Sequence, residues 1–193
     1  MENLLQQIKK CCICKDYLPL GCKPILTAHR DSKIVIVGQA PGIKVHESGI
    51  PWADKSGDNL RKWLKVSEEQ FYDTRLFAII PMGFCYPGKG KSGDLPPRKE
   101  CAPQWHEQLF RYMKNVKLVL LVGQYAQKYY LKENTAKNLT ETVKQYKHYL
   151  PQYFPLPHPS PLNNRWQKKN PWFNKEVLPA LSEHVAHILN AEN

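Results

Sequence analysis

The chain is 193 residues long and carries 28 lysines and arginines against 17 aspartates and glutamates, a formal charge of +11. That length suits one domain with a sizeable core and is short for two, and the charge favours a polyanionic partner over a neutral one. No run reaches the roughly 18 apolar residues of a membrane span, and the opening MENLLQQIKK has no apolar signal core, so an intracellular monomer with no membrane partner is expected.

Cys11 and Cys14 form a CxxC near the N-terminus. Three short, continuously apolar runs follow: KIVIVGQ (33–39), LFAIIPM (76–82) and KLVLLVGQ (117–124). Runs of this kind are strands buried on both faces, as in a mostly parallel sheet. Helical patterns lie between and after them: GDNLRKWLKV from Gly57, PQWHEQLFRYM from Pro103 and YAQKYYL from Tyr125. A fourth strand is expected near YFPLP (153–157), and an amphipathic helix from about Trp172 to Leu189. Alternating strands and helices predict a three-layer α/β/α sandwich with a central, mostly parallel four-stranded sheet, as a single domain over residues 1–193. Ligands of such sheets sit beyond the carboxyl ends of the strands. GQAPG, GFCYPG and HPSPL all follow strand ends, so one site is expected where they meet.

The first of these loops places Gly38 and Gly42 where a backbone can approach a ligand and expose its N–H groups. Downstream, Trp52 offers a flat apolar face, and Asp58 reads as a cap or first-turn residue of the helix that follows. Asp54 is separated from that periodic segment by Lys55, Ser56 and Gly57, so it is harder to explain as a cap. In HPSPLNNRW (158–166), Pro157, Pro159 and Pro161 fix φ and lack an N–H, which predicts a rigid, non-helical loop. Leu162 is an apolar tip on it, followed by Asn163, Asn164 and a basic run of Arg165, Lys168 and Lys169. With Lys89 and Lys91, these cations form a candidate phosphate-binding rim.

Cys85 and Cys101 bracket YPGKGKSGDLPPRKE, a segment without hydrophobic periodicity. Structureless loops of such length are usually functional or disordered, and pinning both ends to Cys11 and Cys14 through a metal would hold this one in place. In a reducing compartment four thiolates suit zinc or an iron–sulphur cluster better than disulfides. Cys12 and Cys22 are left as spectators, with Cys22 able to replace one ligand.

Taken together, these segments resemble the uracil-DNA glycosylase superfamily from Cys11 to about Phe173. GQAPG resembles the GEAPG motif of the iron–sulphur uracil-DNA glycosylases, and Gly49, Pro51, Trp52 and Gly57 fall at that family's offsets without gaps. The cysteine quartet is similar too, including the interval from Cys85 to Cys101. DKSGD is similar to the Asp-Arg-Ser-Gly-Asp segment of a related broad-specificity family, whose first aspartate is the catalytic candidate. HPSPL resembles the second superfamily motif, with Leu162 in the place of the leucine wedge.

The resemblance implies a monofunctional glycosylase that excises uracil or another deaminated base from DNA. A base inside a duplex must be extruded to be reached, and Leu162 would fill the vacated stack. Ser160, Asn163, Asn164, Arg165 and Lys168 would contact the DNA beside it. Asp54 would stabilise the positive charge growing on the deoxyribose, and His158 would hydrogen-bond the developing oxyanion of the base. Gln39 would position base or water, with backbone N–H groups around Ala40, Pro41 and Gly42 assisting and Trp52 stacking on the base. The bond cleavage needs no catalytic metal, so a 4Fe-4S cluster or zinc on Cys11, Cys14, Cys85 and Cys101 would be structural. Two positions depart from the iron–sulphur pattern. Gln39 stands where that family has glutamate, which shifts the acid role to Asp54. Pro81 stands where it has a uracil-reading asparagine, which widens the expected range to bases such as hypoxanthine and xanthine. The rival readings are a catalytically silent nucleic-acid-binding or lesion-sensing module on the same fold, and a hydrolase of free nucleosides.

Overall fold

A strand buried on both faces needs helices on both sides of its sheet, and the fold supplies them. In the computed structural model, which describes residues 1–91 and 93–191, the first half runs α1 (Glu2–Lys9), β1 (Ile34–Val37), α2 (Ile43–Ser48), α3 (Lys55–Leu64), α4 (Glu68–Tyr72) and β2 (Phe77–Ile79). It continues with β3 (Lys89–Gly90), β4 (Gly93–Asp94), α5 (Cys101–Tyr112), β5 (Leu118–Val122), α6 (Gln124–Leu131), α7 (Leu139–Lys144), β6 (Tyr153–Leu156), α8 (Asn164–Lys169) and α9 (Leu178–Asn190). The main sheet has the order β2-β1-β5-β6 with every pair parallel, and Ile34 is in register with both Phe77 and Leu118.

Alternate residues of each strand feed two separate cores. Ile34, Ile36, Phe77, Leu120 and Phe154 pack against α3, α4 and α9 through residues such as Leu60, Phe71 and Leu181. Val35, Val37, Ile80 and Leu121 pack against α1, α5 and α6 through Ile8, Leu109 and Ala126. Each fully buried aliphatic or aromatic side chain contributes roughly 1.5–3 kcal/mol. Pro155 interrupts no ladder on its outer side because β6 is an edge strand. This is the expected three-layer architecture, and the strand order reverses direction between β1 and β5, so the crevice at their carboxyl ends is where a ligand fits. No described helix is long and apolar enough to cross a membrane.

Several expectations are corrected. HPSPLNNRW is not loop throughout: Pro161–Asn163 forms a 3-10 turn and α8 starts at Asn164. Its last proline stands at the first helical position, where a missing N–H costs nothing. In the terminal helical segment, Phe173–Val177 is wound as a π-turn before α9, which accommodates Pro179 and its missing N–H. The segment between Cys85 and Cys101 is not structureless, since β3 and β4 pair there as a small antiparallel hairpin. Cys12 and Cys22 are joined in a disulfide, their Cα atoms 5.4 Å apart and within the usual reach of that bond.

Candidate active site

The three loops that follow β1, β2 and β6 meet at one cavity of about 380 Å³. Gln39, Ala40, Pro41 and Gly42 line it from the first loop, Pro81 from the second, and His158, Ser160 and Leu162 from the third. Trp52 and Asp54 reach it from the turn ahead of α3.

Asp54 is in fact the cap of α3, and its Oδ1 accepts the Gly57 N–H at 2.9 Å. The helix begins at Lys55, two residues earlier than its apolar pattern, while Asp58 pairs with Arg61 at 2.6 Å. Capping uses one carboxylate oxygen and fixes the group at the positive end of the helix, facing the cavity. Trp52 is held at φ 58°, a left-handed conformation costly for a bulky residue. Two glycines make room for it. A Cβ on Gly57 would lie 1.8 Å from the Trp52 carbonyl oxygen, and one on Gly38 would lie 2.9 Å from the indole ring. The indole thereby rests on the first loop and sits 5.6 Å from the His158 ring, tilted by 34°.

Burial pushes the His158 pKa below its ordinary value, and the charge of Asp54 only partly opposes this. His158 Nδ1 accepts the Ser160 N–H at 3.2 Å. A neutral imidazole that accepts at Nδ1 carries its proton on Nε2, so the ring is a hydrogen-bond donor. Its loop is tied down twice more. Asn163 Nδ2 donates to the His158 carbonyl at 2.8 Å, and Asn59 Nδ2 of α3 donates to the Pro159 carbonyl at 2.9 Å.

Two contributors escape a reading of the sequence. His106 on α5 is buried, stacks on Phe84, and bridges the Pro81 carbonyl (Nε2, 3.0 Å) to the Tyr130 hydroxyl (Nδ1, 2.6 Å). Burial pushes its pKa down to about 4, so it is neutral and holds the Pro81 backbone from behind. Asp94 enters from the β3–β4 hairpin and lines the cavity; a Cβ on Gly42 would lie 3.3 Å from its Oδ2. Burial raises its pKa, Tyr86 and Lys89 oppose the rise, and the charge of Asp54 adds to it. Next to it, the Leu95 carbonyl accepts from Gln39 Nε2 at 3.4 Å. Asp94's only mark in the sequence is its place inside the cysteine-bracketed segment.

A model of the uracil DNA glycosylase superfamily matches residues 25–182. The chain belongs to that superfamily. The matched region holds the whole four-stranded sheet and every residue lining the cavity, which makes the chain a member of a family of DNA glycosylases with DNA as the family's partner. Against that background Leu162 is notable: it is 88% exposed at the cavity rim, with its N–H held by Ser160 Oγ at 3.3 Å. Asn164, Arg165 and Lys168 follow on the exposed side of α8, while Asn163 is turned inward to brace the loop. Lys89, Lys91 and Lys169 are exposed as well.

The CxxC lies ahead of the family match, yet its thiols and those of Cys85 and Cys101 lie close enough to feel one another's charge. Burial pushes Cys85 up to about 11 and Cys101 up to about 12. The Phe84 N–H donates to Cys101 Sγ at 3.4 Å, and the Lys23 backbone N–H faces Cys85. Among the described residues no three His, Cys, Asp or Glu side chains are arranged around a point where a single ion would sit. Gathering several thiolates at one place needs a compensating cation, because their negative charges repel. N–H groups aimed at sulphur are the surroundings that a thiolate-held centre uses, so the donor set fits such a group.

Proposed function

We propose that this protein is a monofunctional DNA glycosylase that removes uracil or another deaminated base and leaves an abasic site. The observation that carries the reading is the convergence of Asp54, His158, Gln39 and Asp94 on one cavity beneath the exposed Leu162. Leu162 enters the stack as the nucleotide leaves it, offsetting part of an extrusion cost of a few kcal/mol. The base lies against Trp52. His158 donates from Nε2 to the base oxygen on which negative charge develops, and Asp54 faces the positive charge of the sugar. Gln39 and Asp94 hold the water. As the C1′–N bond breaks, its electron pair leaves with the base, the water oxygen bonds to C1′, and Asp94, whose pKa is raised in the cavity, takes the water's proton. Pro81 offers the base no side-chain hydrogen bond, which supports a range wider than uracil.

Cys11, Cys14, Cys85 and Cys101 are proposed to hold a structural iron–sulphur cluster or zinc ion. When bound, the group would supply the positive charge that keeps four sulphurs ionised. Its place in the protein would be to tie the N-terminal CxxC to both ends of the segment that carries Asp94.

The test is excision from end-labelled oligonucleotides carrying one uracil, hypoxanthine or xanthine, single-stranded and paired, with alkali revealing abasic sites. Alkali-dependent cleavage that Asp54→Asn abolishes supports the reading. Absence of cleavage across the panel by folded, metal-replete protein overturns it in favour of a silent DNA-binding module, for which Gln39 and Pro81 would be the marks of lost chemistry.

A further inference from the structure

A second and larger concavity, of about 740 Å³, lies directly beside the candidate active site. Pro81 and Asp94 face the active cavity, while their chain neighbours Met82 and Leu95 face this groove, so the partition between the two is one residue thick at both places. The far side of the groove includes α6, whose leading Gly123 lies against His158: a Cβ there would be 3.9 Å from that of the histidine. The groove and the active cavity are therefore immediate neighbours on the surface.

The lining has an unusual chemical make-up. Tyr17, Tyr125 and Tyr129 present aromatic rings, interleaved with Arg98, Lys99 and Lys128 over a floor of prolines. Tyr17 is 63% exposed even with the Arg98 guanidinium 4.0 Å from its ring centre. Glu100 is engaged with Arg98 at 2.7 Å and Glu107 with Arg111 at 2.6 Å. Lys99 and Lys128 enter no ion pair among the described residues. Aromatic platforms alternating with uncompensated cations match a single nucleic-acid strand, whose bases stack on rings while its phosphates meet the charges. A duplex offers these rings no free base face.

We infer that this groove binds an unpaired DNA strand and holds the nucleotides next to the extruded one. The inference rests on the glycosylase reading for what happens in the adjoining cavity, and on the groove alone for the binding of the strand. Single-stranded DNA is thereby a substrate form with its own binding surface, separate from the Leu162 wedge that duplex extrusion needs.

The test is fluorescence anisotropy with the full chain and a short labelled strand without damage, against a hairpin duplex of the same composition. Tyr17→Ala combined with Tyr129→Ala is expected to weaken single-strand binding about a hundredfold, roughly tenfold for each lost platform, and to leave duplex binding within about twofold. Phenylalanine at both positions restores strand binding, because stacking needs the ring and not the hydroxyl. Lys128→Ala lowers the slope of log affinity against log salt by about 0.7 on the single strand. Unchanged strand affinity in the alanine pair, equal losses on strand and duplex, or no rescue by phenylalanine overturns the groove. A wild-type protein that binds neither form overturns the groove and the glycosylase reading together. One that binds the strand through these tyrosines and releases no base overturns the glycosylase reading alone.

Discussion

The active cavity has two walls that are held up in different ways. Gln39, Trp52, Asp54 and His158 hang from buried parallel strands and from the cap of α3, so two apolar cores fix their positions. Asp94 and Leu95 hang from two-residue strands in a glycine-rich segment whose ends are cysteines. The first wall would keep its shape in any variant that folds, whereas the second depends on what fastens Cys85 and Cys101. In the proposed reaction the base and sugar are met from the rigid side, and the water's proton is taken from the adjustable one.

Removing the charge from the rigid wall gives the largest expected effect. Asp54→Asn keeps a good helix cap and should lower single-turnover excision by about 10²–10³, the scale of a lost preorganised charge partner. Normal excision by a folded Asp54→Asn protein would place the chemistry elsewhere. On the other wall, Asp94→Asn should cost about 10² and should also change the pH profile. Because the pKa of Asp94 is raised, wild-type activity falls as pH drops through that raised value, and the asparagine variant loses this acid limb. Cys85→Ser then sharpens the comparison. If the cysteines act by positioning Asp94, the variant loses no more activity than Asp94→Asn, and the double variant is no worse than Asp94→Asn alone. Additive losses would show a separate role for the cysteine centre.

Leu162→Ala is expected to slow excision from duplex about tenfold, a cost drawn from the few kcal/mol of extrusion, with little change on a single strand. A stability effect comes last. The pKa of His106 falls to about 4 in the folded chain from about 6.5 unfolded, so its contribution is complete above about pH 6.5 and is lost as pH falls toward 4. On the order of 3 kcal/mol is at stake. Urea midpoints across that window should drop in the wild type and drop less in His106→Gln, and a His106 ring resonance that titrates near pH 6.5 would contradict the buried, neutral assignment.

The sheet was readable in the sequence because four strands buried on both faces leave no polar positions to blur the pattern. The motif loops after β1 and β6 were readable for a related reason, since each directly follows such a strand. Asp54 was readable as a special residue for a partly mistaken reason. Lys55, Ser56 and Gly57 look like a spacer, yet they are the first turn of α3, and a glycine there is required by the crowding of the Trp52 carbonyl. Pro157, Pro159 and Pro161 mislead, because a proline restricts a helix interior and suits its first turn. The capping box of Ser67 and Gln70 that starts α4 was present in the sequence and was not read. Asp94 is marked only by its place between Cys85 and Cys101, and His106 by nothing. One depends on a hairpin that brings Lys89 opposite Asp94, and the other looks like any polar residue of an amphipathic helix until α6 and Phe84 close over it.

The strand order also bears on how the protein is made. β1 leaves the ribosome first among the sheet strands, yet it lies in the interior between β2 and β5, so its apolar faces wait for partners translated much later. Parallel pairing through crossovers gives no early hairpin to shelter it, and such nascent segments are exposed to aggregation. His158 and Leu162 are among the last cavity residues to emerge, after β6. A chain interrupted between Cys101 and His158 would carry the first loop, Asp54 and all four candidate cysteine ligands, and would still lack His158 and Leu162, the donor and the wedge of the proposed reaction.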